Sequence, residues 1–196
     1  TVQSMQEQRE PTFVADFSSA KIVGPATTSS DAPHTLDITK TGGYAVFPHE
    51  KSMDFGNRFS FECRVKIDTE TQMPVVIGCG HFNQSGWFLQ RFGNGWRFHA
   101  GGVSCDGGRP LPGTWTHLTG TFDGSTLTLY QDGKKVAEAN CPAGGPLWNG
   151  PMHVGQYTSV GPEYQTLGQI AGLKFYRRVL REQEIAARCG MQDQSN

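Results

Sequence analysis

No apolar run in this chain approaches the ~20 residues that a helix needs to cross a bilayer, so membrane insertion by a helix is excluded. Net charge is also nearly absent: 17 Lys and Arg stand against 18 Asp and Glu. That balance leaves no bulk field to favour nucleic acid or an anionic membrane. Cysteines number five, at 63, 79, 105, 141 and 189, and none has the C-x2-C spacing of a zinc site. A G-x-S-x-G elbow and a phosphate-cradling loop are both missing; Gly93-Asn94-Gly95 reads as a hairpin turn. No strand carries the run of acids on one face that a glycosidase needs for one protonated and one ionised carboxyl. Glu62 stands isolated on its strand, among solvent-facing neighbours, and Asp123 and Asp132 fall in turns. There is no internal repeat, no βαβ alternation and no sign of a second domain.

Turns and strands are what is present. Glycine is abundant at 25 and proline at 11, yet aromatics hold at 11%, which suits many short strands rather than disorder. From Gly113 to Val136, three runs are separated by Asp123-Gly124 and Asp132-Gly133. Asp-Gly between alternating runs predicts a hairpin, because both central residues of a type I′ turn need φ > 0. The result is an antiparallel meander in which Leu127 and Leu129 share the buried face. Phe59 to Ile67 alternates cleanly, with Phe59, Phe61, Cys63, Val65 and Ile67 on a dry face and Ser60, Glu62, Arg64 and Lys66 on a wet one. Residues 86–92 and 96–100 form a hairpin. Shorter strands are expected at 13–17, 35–38, 44–47, 75–79, 152–155 and 169–176. Residues 18–34, 101–113 and 140–151 read as loops. The polar residues 1–11 fray or form a short helix, and 179–188 form a helix stopped by Gly190. The fold class is all-β: a two-sheet antiparallel β-sandwich with one short C-terminal helix, occupying residues 1–196 as one domain.

Cys105 and Cys141, in Gly/Pro-rich loops, are candidates for a disulfide that ties two loops together. Cys63 and Cys79 flank an expected hairpin and can face each other across it. The alternative is that these are small buried apolar residues. Thr1, without Met or an apolar leader, reads as the start of a mature or excised piece, and a secreted, extracellular or periplasmic setting is favoured.

Several of these motifs also carry a family resemblance. Trp115-Thr116-His117-Leu118, then Thr121-Phe122-Asp123-Gly124, then Leu129-Tyr130-Gln131-Asp132-Gly133-Lys134 resemble the signature of the laminin-G-like, concanavalin A-like jelly-roll superfamily. The strand at 59–67, Met152-His153-Val154-Gly155 and the closing stretch to Ile185 resemble its other elements, so the likeness runs from about Tyr44 to Ile185. It implies a jelly roll, and a function in recognition more often than catalysis. Relatives often hold calcium through an Ile-Asp-Glu-Val strand. Here the matching positions are Ile170-Ala171-Gly172-Leu173, and Gly42-Gly43-Tyr44 is neutral too. Calcium stays an open alternative but lacks its usual acidic ligands, so no cofactor and no metal ligand is assigned.

The expected ligand is a glycan or polysaccharide. Aromatic faces stack on the C–H face of a pyranose, and planar polar side chains hydrogen-bond its hydroxyls. By the resemblance, Trp87 and Leu89 face inward, which leaves Phe88 and Gln90 outward. Alternation puts Trp96 and Phe98 inward, with Arg97 and His99 outward. Phe88, Gln90, Arg97 and His99 then form a patch on the concave sheet, with His81 nearby and Trp148 and Tyr157 as walls. Trp87, Trp96 and Trp115 read as core; Trp148 reads as a binding platform or as loop packing. The leading reading is a non-catalytic, lectin-like module, part of a larger secreted protein. The alternatives are a polysaccharide lyase or hydrolase with an atypical site, built on His81, His99 and Tyr157, and a protein-interaction or adhesion module.

Overall fold

Phe61 lies flat on Trp87, centroids 4.9 Å apart, and meets Phe98 edge-on at 5.1 Å. These three rings come from two different sheets, and they mark the centre of the molecule. The structure is a computed structural model that describes residues 10–29, 32–68, 71, 73–142 and 148–192. One sheet runs, edge to edge, through β13 (Lys134–Asn140), β12 (Thr126–Gln131), β11 (Thr116–Phe122), β6 (Phe59–Ile67), β15 (Gly168–Tyr176), β4 (Ala32–Ile38) and β3 (Ala26–Ser29), with β1 (Phe13–Val14) paired to β15. The other runs through β10 (Val103–Gly107), β9 (Gly95–Ala100), β8 (Ser85–Phe92), β7 (Val75–His81), β14 (Met152–Val154), β5 (Tyr44–Phe47) and β2 (Lys21–Val23). Both sheets are antiparallel, and each faces the other through its apolar side, as a jelly-roll sandwich requires.

The meander forms as expected, but its two turns differ. Asp132 (φ 49°) and Gly133 (φ 77°) both take the left-handed region, as a type I′ turn demands. At the other turn, Asp123 holds the chain with its carboxylate instead, accepting from the backbone N–H of Ser125 (2.9 Å) and Thr126 (2.8 Å). Gly120 in β11 faces the Phe61 ring, and a β-carbon there would lie 2.2 Å from Cε1. We expect Gly120→Ala to cost about 1–3 kcal/mol through overpacking, read as a lower urea midpoint at unchanged slope.

Several expectations are corrected. The Ser/Thr-rich stretch within 18–34 contributes β2, β3 and the start of β4, and 101–113 contributes β10. Edge strands pair on one side only and tolerate the glycines, prolines and hydroxyl residues that made these segments read as loops. Trp115 is half-buried outside the core, with the Arg64 guanidinium 4.9 Å over its ring. Residues 1–9 of the N-terminal segment, and Gly144, Gly145 and Pro146 of the loop before Trp148, lie outside the described residues.

The cysteines are thiols. Cys63 in β6 and Cys79 in β7 belong to opposite sheets, so no hairpin joins them. Cys105 is buried with its Sγ 3.7 Å from the Leu127 carbonyl, and Cys141 with its Sγ 3.6 Å from that of Ala100. The proposed Cys105–Cys141 bridge is replaced by two small apolar residues each resting on a carbonyl, and the cysteine pattern no longer argues for an oxidising compartment. The thermal midpoint should be the same with and without dithiothreitol. A lost disulfide would lower it by several degrees or more, given the ~2–5 kcal/mol such bonds contribute.

The wet face predicted for β6 is covered. Helix α1 (Glu182–Gln192), which runs through Gly190 instead of stopping there, closes over it with Leu180 and Ile185 packed on Tyr130 and Tyr176. Beneath it Glu62 is fully buried. Its carboxylate accepts from Tyr176 Oη (2.7 Å) and lies 3.5 Å from both Arg188 Nη1 and His117 Nε2 and 3.7 Å from Lys174 Nζ. Burial pushes the carboxyl up, but His117, the Tyr176 hydroxyl and Lys174 together outweigh it and hold it below the usual range. Ser60 ties in the chain before the helix, donating to the Arg178 carbonyl (2.8 Å) and accepting from Leu180 N (2.9 Å).

Candidate binding site on the outer face of the second sheet

The β8–β9 register pairs Phe88 with His99 and Gln90 with Arg97, and β10 extends the two rows to Ser104 and Asp106. Since Trp87, Leu89, Trp96 and Phe98 fill the core, the pleat turns these six side chains to the sheet's other face. That face is not bare. Phe82, at the tip of the β7–β8 hairpin, and Tyr157 and Tyr164, from the loop joining β14 to β15, fold over it. Asn83 takes φ 55° in that hairpin, a left-handed conformation that Asn tolerates, and this brings Phe82 back over the sheet.

A stack of rings results. His99 lies between Phe88 (4.8 Å, 19°) and Phe82 (4.5 Å, 30°), and Phe88 meets Tyr157 edge-on at 5.6 Å. Beside the stack opens a cavity of about 330 Å³ lined by Met73, Phe82, Phe88, Gln90, Phe92, Arg97, Tyr157 and Tyr164. It is thus walled by five aromatic rings and carries two polar groups on its floor.

One of those polar groups, the Arg97 guanidinium, is held in place. Arg97 grips Asp106 with two hydrogen bonds, Nε to Oδ1 (2.7 Å) and Nη2 to Oδ2 (2.6 Å), and its guanidinium lies 3.7 Å from the Phe92 ring centre. Its charge is neutralised while its plane is held in place. Gln90 is 5% exposed, and no hydrogen bond among the described residues engages its amide. Tyr157 Oη accepts from Phe82 N (2.5 Å), and burial pushes its phenol up, so the hydroxyl keeps a proton to donate.

His99 is held neutral. Its Nε2 accepts from Asn83 N (3.5 Å), so the ring proton sits on Nδ1, which donates to Ser104 Oγ (2.9 Å). Burial, assisted by the Arg97 charge, lowers its pKa to about 4. The wall is therefore uncharged at neutral pH, and the site as a whole suits an uncharged ligand with hydroxyls and C–H faces.

Of the residues predicted from sequence, Phe88, Gln90, Arg97 and Tyr157 line this cavity, and His99 backs its wall. His81 stands at the rim, edge-on to Tyr157 at 6.1 Å, with Nδ1 on Ser159 Oγ (3.2 Å). Trp148 is not a wall of it. The loop holding it lies at the edge of the sandwich, where its ring lines a separate cavity of about 280 Å³ with Trp87, Phe55, His49 and Asp54. Phe82, Phe92, Met73 and Tyr164 were missed. Phe82 had a signal, an aromatic at a hairpin tip, whereas Tyr164 lies in a short 3₁₀ turn after Pro162 with no periodicity to reveal it. Among the described residues, no group of three or more His, Cys, Asp or Glu is placed to hold a metal ion.

A family model described as the concanavalin A-like lectin/glucanases superfamily matches residues 39–186. Among solved structures, the chain is similar to the receptor binding domain of botulinum neurotoxin C/D mosaic serotype, with a TM-score of 0.67 at 12% identity over 89% of this chain and 46% of that one. It is likewise similar to the botulinum neurotoxin serotype D binding domain, with a TM-score of 0.67 at 12% identity over 89% and 47%. A further C/D mosaic structure, with tetraethylene glycol bound on its Hcn sub-domain, gives a TM-score of 0.70 at 11% identity over 89% and 46%. The chain spans about half the length of these solved chains, and at such identity the likeness is one of fold. No curated protein matches the chain in sequence.

Proposed function

Because the chain belongs to the concanavalin A-like lectin/glucanases superfamily, we propose that it is a non-catalytic binding module that takes a neutral glycan in the aromatic cavity beside β8 and β9. The observation that carries this reading is the pairing of five aromatic walls with a Gln90 amide unengaged among the described residues and a neutralised, immobilised Arg97. Aromatic faces attract the slightly positive C–H edges of a pyranose, and the amide and guanidinium edges supply aimed hydrogen bonds. A single site of this size should bind weakly, on the order of micromolar to millimolar. Recognition needs no cation in this reading, since the aimed donors and acceptors come from side chains already on the sheet. A module that binds polysaccharide works where polysaccharide is, so an extracellular or periplasmic location goes with the proposal.

The test is a panel of immobilised glycans, repeated with EDTA, with each binding polysaccharide then incubated overnight and checked for new reducing ends and unsaturated uronates. Binding that survives EDTA without product supports the reading. Product would overturn it in favour of a lyase or hydrolase, and a panel without hits would put protein interaction first. Phe82 is 48% exposed and lies over the cavity without filling the core. Phe82→Ala should therefore weaken the strongest hit about tenfold while the unfolding midpoint moves little, as calorimetric titration and thermal melts would report.

A further inference from the structure

The cavity at the edge of the sandwich is a built site of its own. Trp148 is locked there: its Nε1 donates to the Pro151 carbonyl (3.0 Å), and His81 meets its ring edge-on at 5.6 Å. Gly150 lets the indole lie against the backbone, since a β-carbon at that position would come within 2.4 Å of Cζ2. Opposite, His49 Nε2 pairs with Asp54 Oδ1 at 2.9 Å. The loop bearing that pair is pinned by Arg177, whose guanidinium donates to the carbonyls of Asp54 (2.8 Å) and Lys51. Phe55 forms the floor, 4.7 Å from Phe175 and 5.4 Å from Phe59. A held indole facing a held polar pair is the same combination that the sheet cavity offers. One side chain touches a wall of each cavity: His81 packs edge-on against Trp148, which lines one, and against Tyr157, which lines the other.

We propose that this edge cavity is a second subsite, which takes a further pyranose unit of the glycan chain bound in the sheet cavity. The inference rests on the glycan reading and makes it specific: the preferred ligand is an oligosaccharide long enough to pass the hairpin tip at His81 and Phe82, not a single sugar. The indole stacks on the further ring, and the His49–Asp54 pair hydrogen-bonds its hydroxyls. Two linked contacts multiply their effects, so affinity rises with chain length until both cavities are filled.

The test is calorimetric titration of cello-, laminari-, xylo- and chito-oligosaccharides of one to six units into the wild type, Trp148→Ala, Gly150→Ala and Phe82→Ala. The expected result is an affinity that rises with length in the wild type, and a loss of about tenfold on the longest chains in Trp148→Ala, with the shortest binders unaffected. Gly150→Ala displaces the indole without deleting it and should show the same length-selective loss, which guards against a folding defect in either variant. Phe82→Ala should weaken every length. If Trp148→Ala and Gly150→Ala bind all lengths as the wild type does while Phe82→Ala still weakens them, the second subsite is wrong and the sheet site stands. If no oligosaccharide and no member of the glycan panel binds, both fall together.

Discussion

Glu62→Ala should lower the stability of this protein by about 3 kcal/mol, the toll of breaking a buried charge cluster by removing its central partner. The carboxylate is fully buried and touches or faces Tyr176, His117, Lys174 and Arg188, which come from two strands, β11 and β15, and the C-terminal helix. Without it, three cationic or polar nitrogens surround an empty space and Tyr176 loses an acceptor. Lys174 and Arg188 are 32% and 25% exposed in their side chains, so water relieves part of the repulsion. The loss therefore falls at the lower end of what isolated buried pairs show. Glu62→Gln keeps the shape and an acceptor for Tyr176 and should recover part of the loss. Urea denaturation gives the magnitude, and hydrogen exchange should show amides of α1 losing protection first. A change under 1 kcal/mol in Glu62→Ala would mean that the helix is held by the packing of Leu180 and Ile185, the Ser60 tie and the bond from Arg188 to Tyr176 Oη, and not by the buried carboxylate.

The second large effect is on pH dependence. The His99 pKa falls from an ordinary 6.5 to about 4 in the folded state. As pH drops below 6.5 the unfolded chain binds a proton at this ring and the folded one does not, so stability declines from pH 6.5 to about 4 and levels off below. A shift of this size corresponds to on the order of 3 kcal/mol. His153, also lowered chiefly by burial, adds loss of the same sign. Glu62 acts in a later window: its stabilisation is present above its ordinary 4.5 and disappears as pH falls through the lower folded value. His99→Phe keeps the ring between Phe82 and Phe88 but cannot titrate. Chemical denaturation at pH 7 and pH 4.5 should show the wild type losing clearly more stability between the two than His99→Phe does. Equal losses in the two proteins would remove His99 from this role.

The alternation of hydrophobic residues was enough to place the core faces of β6 and β9, and the family resemblance placed those of β8, because a strand with a buried side has one register that satisfies its core. Trp96 and Phe98 point inward and Arg97 and His99 outward, as alternation required, and Trp87 and Leu89 point inward and Phe88 and Gln90 outward, as the resemblance implied. The pattern could not say what lies on an outward face. Glu62 read as solvated because its neighbours on β6 are polar, yet a helix more than a hundred residues downstream covers it. Phe88 read as an exposed platform and is 3% exposed, since Phe82, Tyr157 and Tyr164 close over it. Both errors have one cause: burial by a distant segment leaves no trace in local periodicity. Trp148 shows the same limit. Its composition marked it as unlike the core tryptophans, but only the loop geometry assigns it to the edge cavity instead of the sheet cavity.

The most direct test of the account is a chemical-shift titration. Isotope-labelled protein would be titrated with the oligosaccharide of the polysaccharide that binds most strongly in the glycan panel, with EDTA present. The account predicts that the largest shifts fall on Phe82, Phe88, Gln90, Arg97, Tyr157 and Tyr164, with fast exchange as weak binding requires. Largest shifts on the outer face of the other sheet, around Trp115 and Arg64, would contradict it.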